Sequence, residues 1–179
     1  NTLSISFISV IIGVVIGTII AVINSYNKET KKGKLAVKLC EFYVSIIRGT
    51  PVLLQLMIIY YVAFRDIRDL NLILVAALAF GINSGAYVAE IIRAGIESID
   101  KGQMEAGRSL GLNYFQTLKL VILPQAIKNI LPAIGNEFIT LVKETSVAGY
   151  IGVMDLTKAS DIIASRTYDY FCPLIIAAL

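Results

Sequence analysis

Apolar residues fall in long blocks separated by short polar stretches, and the blocks set the expected architecture. Leu3 to Ile23 is nearly continuous Ile and Val with Gly13 and Gly17 spaced as GxxxG, the length a bilayer core demands. It predicts a first span over 3–23. The two glycines would admit a close neighbouring helix, and an ordinary lipid-facing helix fits them equally well. Leu35 to Ile47 is apolar but interrupted by Lys38 and Glu41, so 35–47 reads as an amphipathic helix too short to cross. Arg48, Gly49, Thr50 and Pro51 then break the chain, Pro51 being suited to a first helical position. Val52 to Phe64 is the second span. It is short for a full crossing, so part of the preceding segment is expected at membrane depth, where broken backbone survives only against protein or a water-filled cavity.

A charge-balanced turn, Arg65, Asp66, Arg68 and Asp69, precedes a third span over 72–92. Residues 93–117 are polar. A fourth span over 118–142 carries Pro124, Lys128, Pro132, Asn136 and Glu137, a poor score by hydropathy alone. Lys143 to Thr167 is mixed, and 168–179 begins a fifth span that the chain does not finish. Because it opens at Asn1 rather than Met and stops inside an apolar run, the sequence is expected to be a segment of a longer protein, and 1–179 reads as one transmembrane domain.

Composition agrees with this reading. With 56% hydrophobic and 16% charged residues, the chain is too apolar for an ordinary soluble domain. The net charge of +3 suggests no nucleic-acid partner. What matters is where the cations sit. Segments after the first and third spans hold ten Lys and Arg, and the opposite segments hold five. The positive-inside rule therefore puts the N-terminus outside and residues 93–117 in the cytoplasm.

Several chemistries are excluded. There is no His, and Cys40 and Cys172 lack CxxC spacing, so neither a zinc site nor a disulfide framework is expected and both cysteines are read as packing residues. Phosphate-loop, GxSxG and HExxH motifs are absent. Nothing here hydrolyses ATP.

Ionisable residues inside spans are costly and mark pathways. Glu90, Glu137, Lys143 and Glu144 are candidates, although Glu90 has Arg93 at i+3 for a structural ion pair. Lys128 is expected to snorkel to the interface. Glu137 follows two prolines, where missing backbone donors are tolerated beside a cavity. With Asn136, Thr145 and Ser146 it is expected to line or gate a pathway. Gln55, Tyr60 and Tyr61 on span two and Asn83, Ser84 and Tyr87 on span three offer a facing polar wall. Amides, hydroxyls and a carboxylate together suit a zwitterionic solute, while an interfacial aromatic belt explains the tyrosines equally well.

Three stretches, RGTPVLLQLMIIYY from Arg48, SGAYVAEIIRAGIESIDKGQMEAGRSLGL from Ser84, and VILPQAIKNILPAIGNEFITLVKETS from Val121, together resemble the membrane subunit of bacterial ATP-binding-cassette importers for polar amino acids. The family's cytoplasmic signature, EAA followed by Gly and then I-x-L-P, is matched by Glu105, Ala106, Gly111, Leu123 and Pro124. Gly107 and Val121 replace the second Ala and the Ile, and Gly107 is expected to loosen its helix.

The resemblance implies an all-α integral membrane protein with the five-span type I importer fold and a cytoplasmic coupling-helix loop at 93–117. It implies that Glu105, Ala106, Gly107, Arg108, Gly111, Leu123 and Pro124 dock ATPase subunits that bind ATP and Mg. It also implies a second permease subunit, identical or closely related, in a bacterial cytoplasmic membrane, and an extracytoplasmic binding protein delivering an amino acid. No cofactor is expected in this chain. Glu137 could complement a basic amino acid, but it could equally meet the α-ammonium of any amino acid. The alternative is a secondary transporter or channel using Glu90 and Glu137 for ions.

Overall fold

The computed structural model describes residues 1–67 and 71–178; Arg68 and Asp69 of the expected turn, and Leu179, lie outside them. Every regular element among the described residues is helical. Helix α1, Thr2–Thr30, extends two turns past the apolar block, carrying Asn24, Asn27, Lys28 and Glu29 beyond it. Only Lys31 to Gly33 connects it to α2, Lys34–Gly49. After Thr50 and Pro51 come α3, Val52–Ile58, and a π-helical turn, Ile59–Ala63, together bent by 110° from α2. The expected second span is thus a broken one. Helix α4, Leu72–Glu97, continues past the expected end at 92 and so takes Arg93 and Glu97 into regular structure.

Two short helices follow, α5 (Lys101–Ser109) and α6 (Tyr114–Thr117). A π-helical turn, Leu118–Ile122, joins α6 to α7, Leu123–Glu144, and a 3-10 turn, Thr145–Ile151, ends it. Helix α8, Leu156–Thr167, and α9, Phe171–Ala178, complete the described chain. By length and composition, α1, α4 and the run Tyr114–Ile151 each suffice to cross a membrane, and the α2–α3 pair makes a fourth crossing if counted as one.

The centre of the bundle is α1 against α4, and small residues on both helices make that contact. A Cβ added at Gly13 would lie 2.6 Å from Ser84 Oγ, and one at Gly17 2.7 Å from Val88 Cγ1. In return, a Cβ at Gly81 would lie 2.7 Å from Ile12 and one at Gly85 2.8 Å from Ile16. The two GxxxG pairs are reciprocal, each receiving the other helix's β-branched or hydroxyl side chains. In lipid, where apolar burial drives no helix association, this close backbone approach supplies the dispersion contact instead. Ser9 adds a buried bond across the same seam, donating to the Ala77 carbonyl at 3.1 Å. The lipid-facing alternative for Gly13 and Gly17 is set aside by this contact.

Asn1 donates to the Met154 carbonyl at 2.8 Å, so the N-terminus and the α7–α8 connection share one end of the bundle. Glu29 pairs with Arg108 at the other, which is the Lys-rich end. The core of Ile5, Leu56, Phe80, Leu141 and Ile151 lies toward the Asn1 end. Toward the Lys-rich end, cavities of about 380 and 340 Å³ open among α1, α2 and α4.

Candidate functional site

Two regions hold the candidate residues, a polar hairpin at the Lys-rich end and a set of polar side chains inside the bundle. The hairpin begins at Asp100, whose carboxylate caps α5 by accepting from Gly102 N at 2.7 Å. Helix α5 ends at Ser109, and two residues on Gly111 has a φ of 87°, a left-handed conformation that glycine adopts without penalty. The turn closes as Leu112 N donates to the Gly107 carbonyl at 3.2 Å. Asn113 and Gln116 then form a reciprocal capping box that starts α6.

Gly107 is buried at the α5–α6 contact. A Cβ there would run into Thr117 Cγ2, and Thr117 is itself fully buried with its hydroxyl donating to the Asn113 carbonyl. The expectation that Gly107 loosens its helix is corrected by this packing: the missing methyl is the space Thr117 fills. Arg108, expected among the docking residues, reaches Glu29 of α1 at 3.3 Å. Glu105 and Ala106 are exposed, and Glu105 has no ion-pair partner among the described residues.

The back of the hairpin is tied to α7, and α7 is tied in turn to α4. Gln125 donates to Gln103 at 3.3 Å and Asn129 donates to Ser98 at 2.9 Å. Gly95 packs directly on Ile130. Pro124 stands at the start of α7, just past the π-helical turn, where its missing N–H breaks no α-helical ladder. Leu123 is half-buried beside it.

Inside the bundle, the structure brings some candidates together and separates others. Gln55 donates to the Ile47 carbonyl at 2.8 Å and to Thr50 Oγ1 at 2.7 Å, while its own oxygen accepts from Asn83 at 2.9 Å. Both ends of its amide are used to clamp the α2–α3 break onto α4. Tyr43 does the same on α2 by donating to the Ile82 carbonyl, a contact no sequence signal indicated.

Glu90 lies in an ion network with Arg93 at 2.8 Å and Arg48 at 3.3 Å, and Arg93 also holds Glu97 at 2.7 Å. The Arg48 guanidinium sits 5.6 Å over the Tyr87 ring. In the sequence Arg48 stands in a breaker and among the inward-side cations, and its place at the end of an apolar helix is the signal for an ion-pair role. Tyr60 and Tyr61 meet edge-on at 4.7 Å, Tyr60 packed against the apolar core and Tyr61 exposed.

On α7, Glu137 is half-buried beside Ser84, whose hydroxyl is buried without a hydrogen-bond partner among the described residues. Glu144 follows two turns later on the same side, also half-buried. Asn136, Lys128 and Lys143 are exposed. Thr145 is fully buried and donates to the Val142 carbonyl at 2.8 Å. Ser146 lines a separate groove with Tyr150, Thr157, Lys158 and Asp161. Cys40 is half-buried, but Cys172 is exposed on α9 and so is not the packing residue expected.

The family model for the binding-protein-dependent transport system inner membrane component matches residues 6–179. The chain belongs to that family. It is therefore a multi-pass inner-membrane permease component and not an enzyme, of a family whose members in general work with separate ATPase subunits, a partner permease and a binding protein.

Among relatives of this permease, "Putative glutamine transport system permease protein GlnP" of Rickettsia prowazekii (strain Madrid E) is 44% identical over 99% of this chain and 79% of its own length. The arginine transport system permease protein ArtQ of Bacillus subtilis (strain 168) is 42% identical over 99% and 80%. A crystal structure of an amino acid ABC transporter with histidines superposes with a TM-score of 0.87 at 47% identity, covering 99% of this chain and 80% of that one. An inward-facing structure of the MetNI methionine ABC transporter has a TM-score of 0.78 at 22% identity, over 99% and 84%, and shares the fold. The type I importer architecture follows from these likenesses.

Proposed function

We propose that this permease imports a polar amino acid by alternating access, driven by two ATPase subunits that grip the α5–α6 hairpin. The observation that carries the coupling role is the hairpin itself. It projects from the Lys-rich end with Glu105 exposed, while Gln103 fastens α5 to Gln125 of α7 and Arg108 fastens it to Glu29 of α1. A push on α5 is thereby delivered to α7 and α1, and α4 shares it through the Ser98–Asn129 bond to α7. ATP-driven closure of the ATPases would bias a two-state equilibrium between inward- and outward-facing bundles, and hydrolysis would reset it.

The Lys-rich end is assigned to the cytoplasm and Asn1 to the outside by the Lys and Arg distribution. The substrate class rests on the glutamine and arginine permeases the chain resembles. Within the pathway, Asn136, Glu137, Lys143 and Glu144 on α7 and Ser84 on α4 are the contact residues. Gln55, Asn83 and Thr145 support it, because their hydrogen-bonding groups already serve the fold. Use of Glu90 as an ion carrier is disfavoured by its two arginine partners.

The test is Glu105→Gln in the permease assembled with its ATPase and binding protein. Uptake is expected to collapse while the bundle stays folded and ATP is still hydrolysed. A normal ratio of solute moved to ATP consumed would overturn the docking role.

A further inference from the structure

We propose that the turn from Lys28 to Lys38 binds anionic lipid headgroups and that its occupancy is passed to the ATPase-docking helix through the Glu29–Arg108 ion pair. This rests on the reading of α5 as the docking helix and adds a regulator to it.

Lys28, Lys31, Lys32, Lys34 and Lys38 are all exposed, and none has an ion-pair partner among the described residues. The single acid in the stretch, Glu29, is held by Arg108 at 3.3 Å. The turn is ordered. Lys31 N donates to the Asn27 carbonyl at 2.8 Å, and the Asn27 side chain donates to the Lys32 carbonyl at 2.7 Å. Lys31 takes φ 55°, the left-handed cap where glycine is the easier residue. A lysine kept there puts a cation where conformation alone favours none.

The helix after the turn supplies an independent observation. Leu35, Leu39, Phe42 and Ile46 are 72, 60, 64 and 45% exposed. Their spacing makes one narrow stripe on α2, and Lys34 and Lys38 lie along its flank. The side of α2 that carries Cys40 and Val44 faces α1 and α4, with Tyr43 beside the stripe and bonded to α4. An apolar stripe edged by lysines at the boundary of a span fits acyl chains beside it and phosphates above it, and a lysine cluster next to a span attracts anionic headgroups. An acidic protein partner would account for the lysines but not for the stripe.

The link to α5 is electrostatic. With phosphates absent, the Glu29–Arg108 pair sits beside five unneutralised cations whose charge repels Arg108. Phosphates on the lysines remove that repulsion, and α5 is held more firmly against α1. Anionic lipid is therefore expected to raise coupled transport.

The complex of permease, ATPase and binding protein is reconstituted in phosphatidylcholine vesicles and in vesicles enriched with phosphatidylglycerol. Binding-protein-stimulated hydrolysis and uptake are expected to be about fivefold higher with phosphatidylglycerol, the low end of ordinary coupling between sites. Raising the salt should erase the difference. The combined variant K31Q, K32Q, K34Q and K38Q should lose the response, and the matching Lys→Arg variant should keep it. Since loss of lysines can disturb insertion, the lipid and salt series on the unaltered complex is decisive alone. Equal rates in the two lipids, or a response that survives the Gln variant, would overturn the proposal. Failure of the docking reading would show separately, as Glu105→Gln that stays coupled in either lipid.

Discussion

At position 107 two opposing effects have known sizes. Alanine is favoured over glycine in an exposed helix by about 1 kcal/mol, so propensity alone forecasts that Gly107→Ala stabilises α5. The added methyl, however, would occupy the place of Thr117 Cγ2 in a buried contact, and overpacking costs about 1–3 kcal/mol. Packing wins. Gly107→Ala is expected to lower the melting temperature of the purified permease and to weaken coupling, and adding Thr117→Ser should restore both, since serine drops Cγ2 but keeps the hydroxyl bond to the Asn113 carbonyl. A stabilised single variant would show that Thr117 has room to move. The sequence alone displayed Gly107 as a departure from EAA and could not show its reason, because Thr117 lies across a turn whose closure depends on the backbone at Gly111. Arg108 was hidden in the same way: Glu29, its partner, is distant in sequence and sat in a stretch legible only as basic.

Helices were more legible than contacts between them. Span positions follow from apolar blocks, and the break at Arg48 to Pro51 follows from residue types with known backbone limits. What the blocks do not reveal is which faces meet. Gly81 and Gly85 form a GxxxG as plain in the sequence as that of Gly13 and Gly17, yet only their reciprocal packing distinguishes a helix seam from two common coincidences. This gives an expectation for α1 and α4 as a pair. Gly81→Ala places a Cβ 2.7 Å from the Ile12 Cβ, so the helices must separate, at a cost of about 1–3 kcal/mol. Ile12→Ala should not rescue it, because the clashing Cβ remains. Thermal aggregation of the detergent-solubilised permease measures this, and full rescue by Ile12→Ala would mean the seam adjusts without separating.

Across the whole molecule, the two ends of the bundle differ in packing and in charge. The Asn1 end holds the apolar core of Ile5, Leu56, Phe80 and Leu141, whereas the Lys-rich end carries the hairpin and the lysines. A rocking bundle needs one end that can open without unmaking its core, and the hairpin delivers force at the end away from that core. The arrangement has direction only if the Lys-rich end faces the ATPases. That orientation is open to a direct measurement. With Cys40 and Cys172 replaced by Ser, a single cysteine at exposed Thr157 of α8 should react with a membrane-impermeant maleimide in intact cells. One at exposed Ser109, at the end of α5, should react only after the membrane is permeabilised. Thr157 shares its end with Asn1 through the Met154 contact, and Ser109 shares its end with Glu29 through Arg108, so the two labels report on one rigid axis. Labelling of Ser109→Cys in intact cells would reverse the assigned topology and leave the ATPases no hairpin to hold.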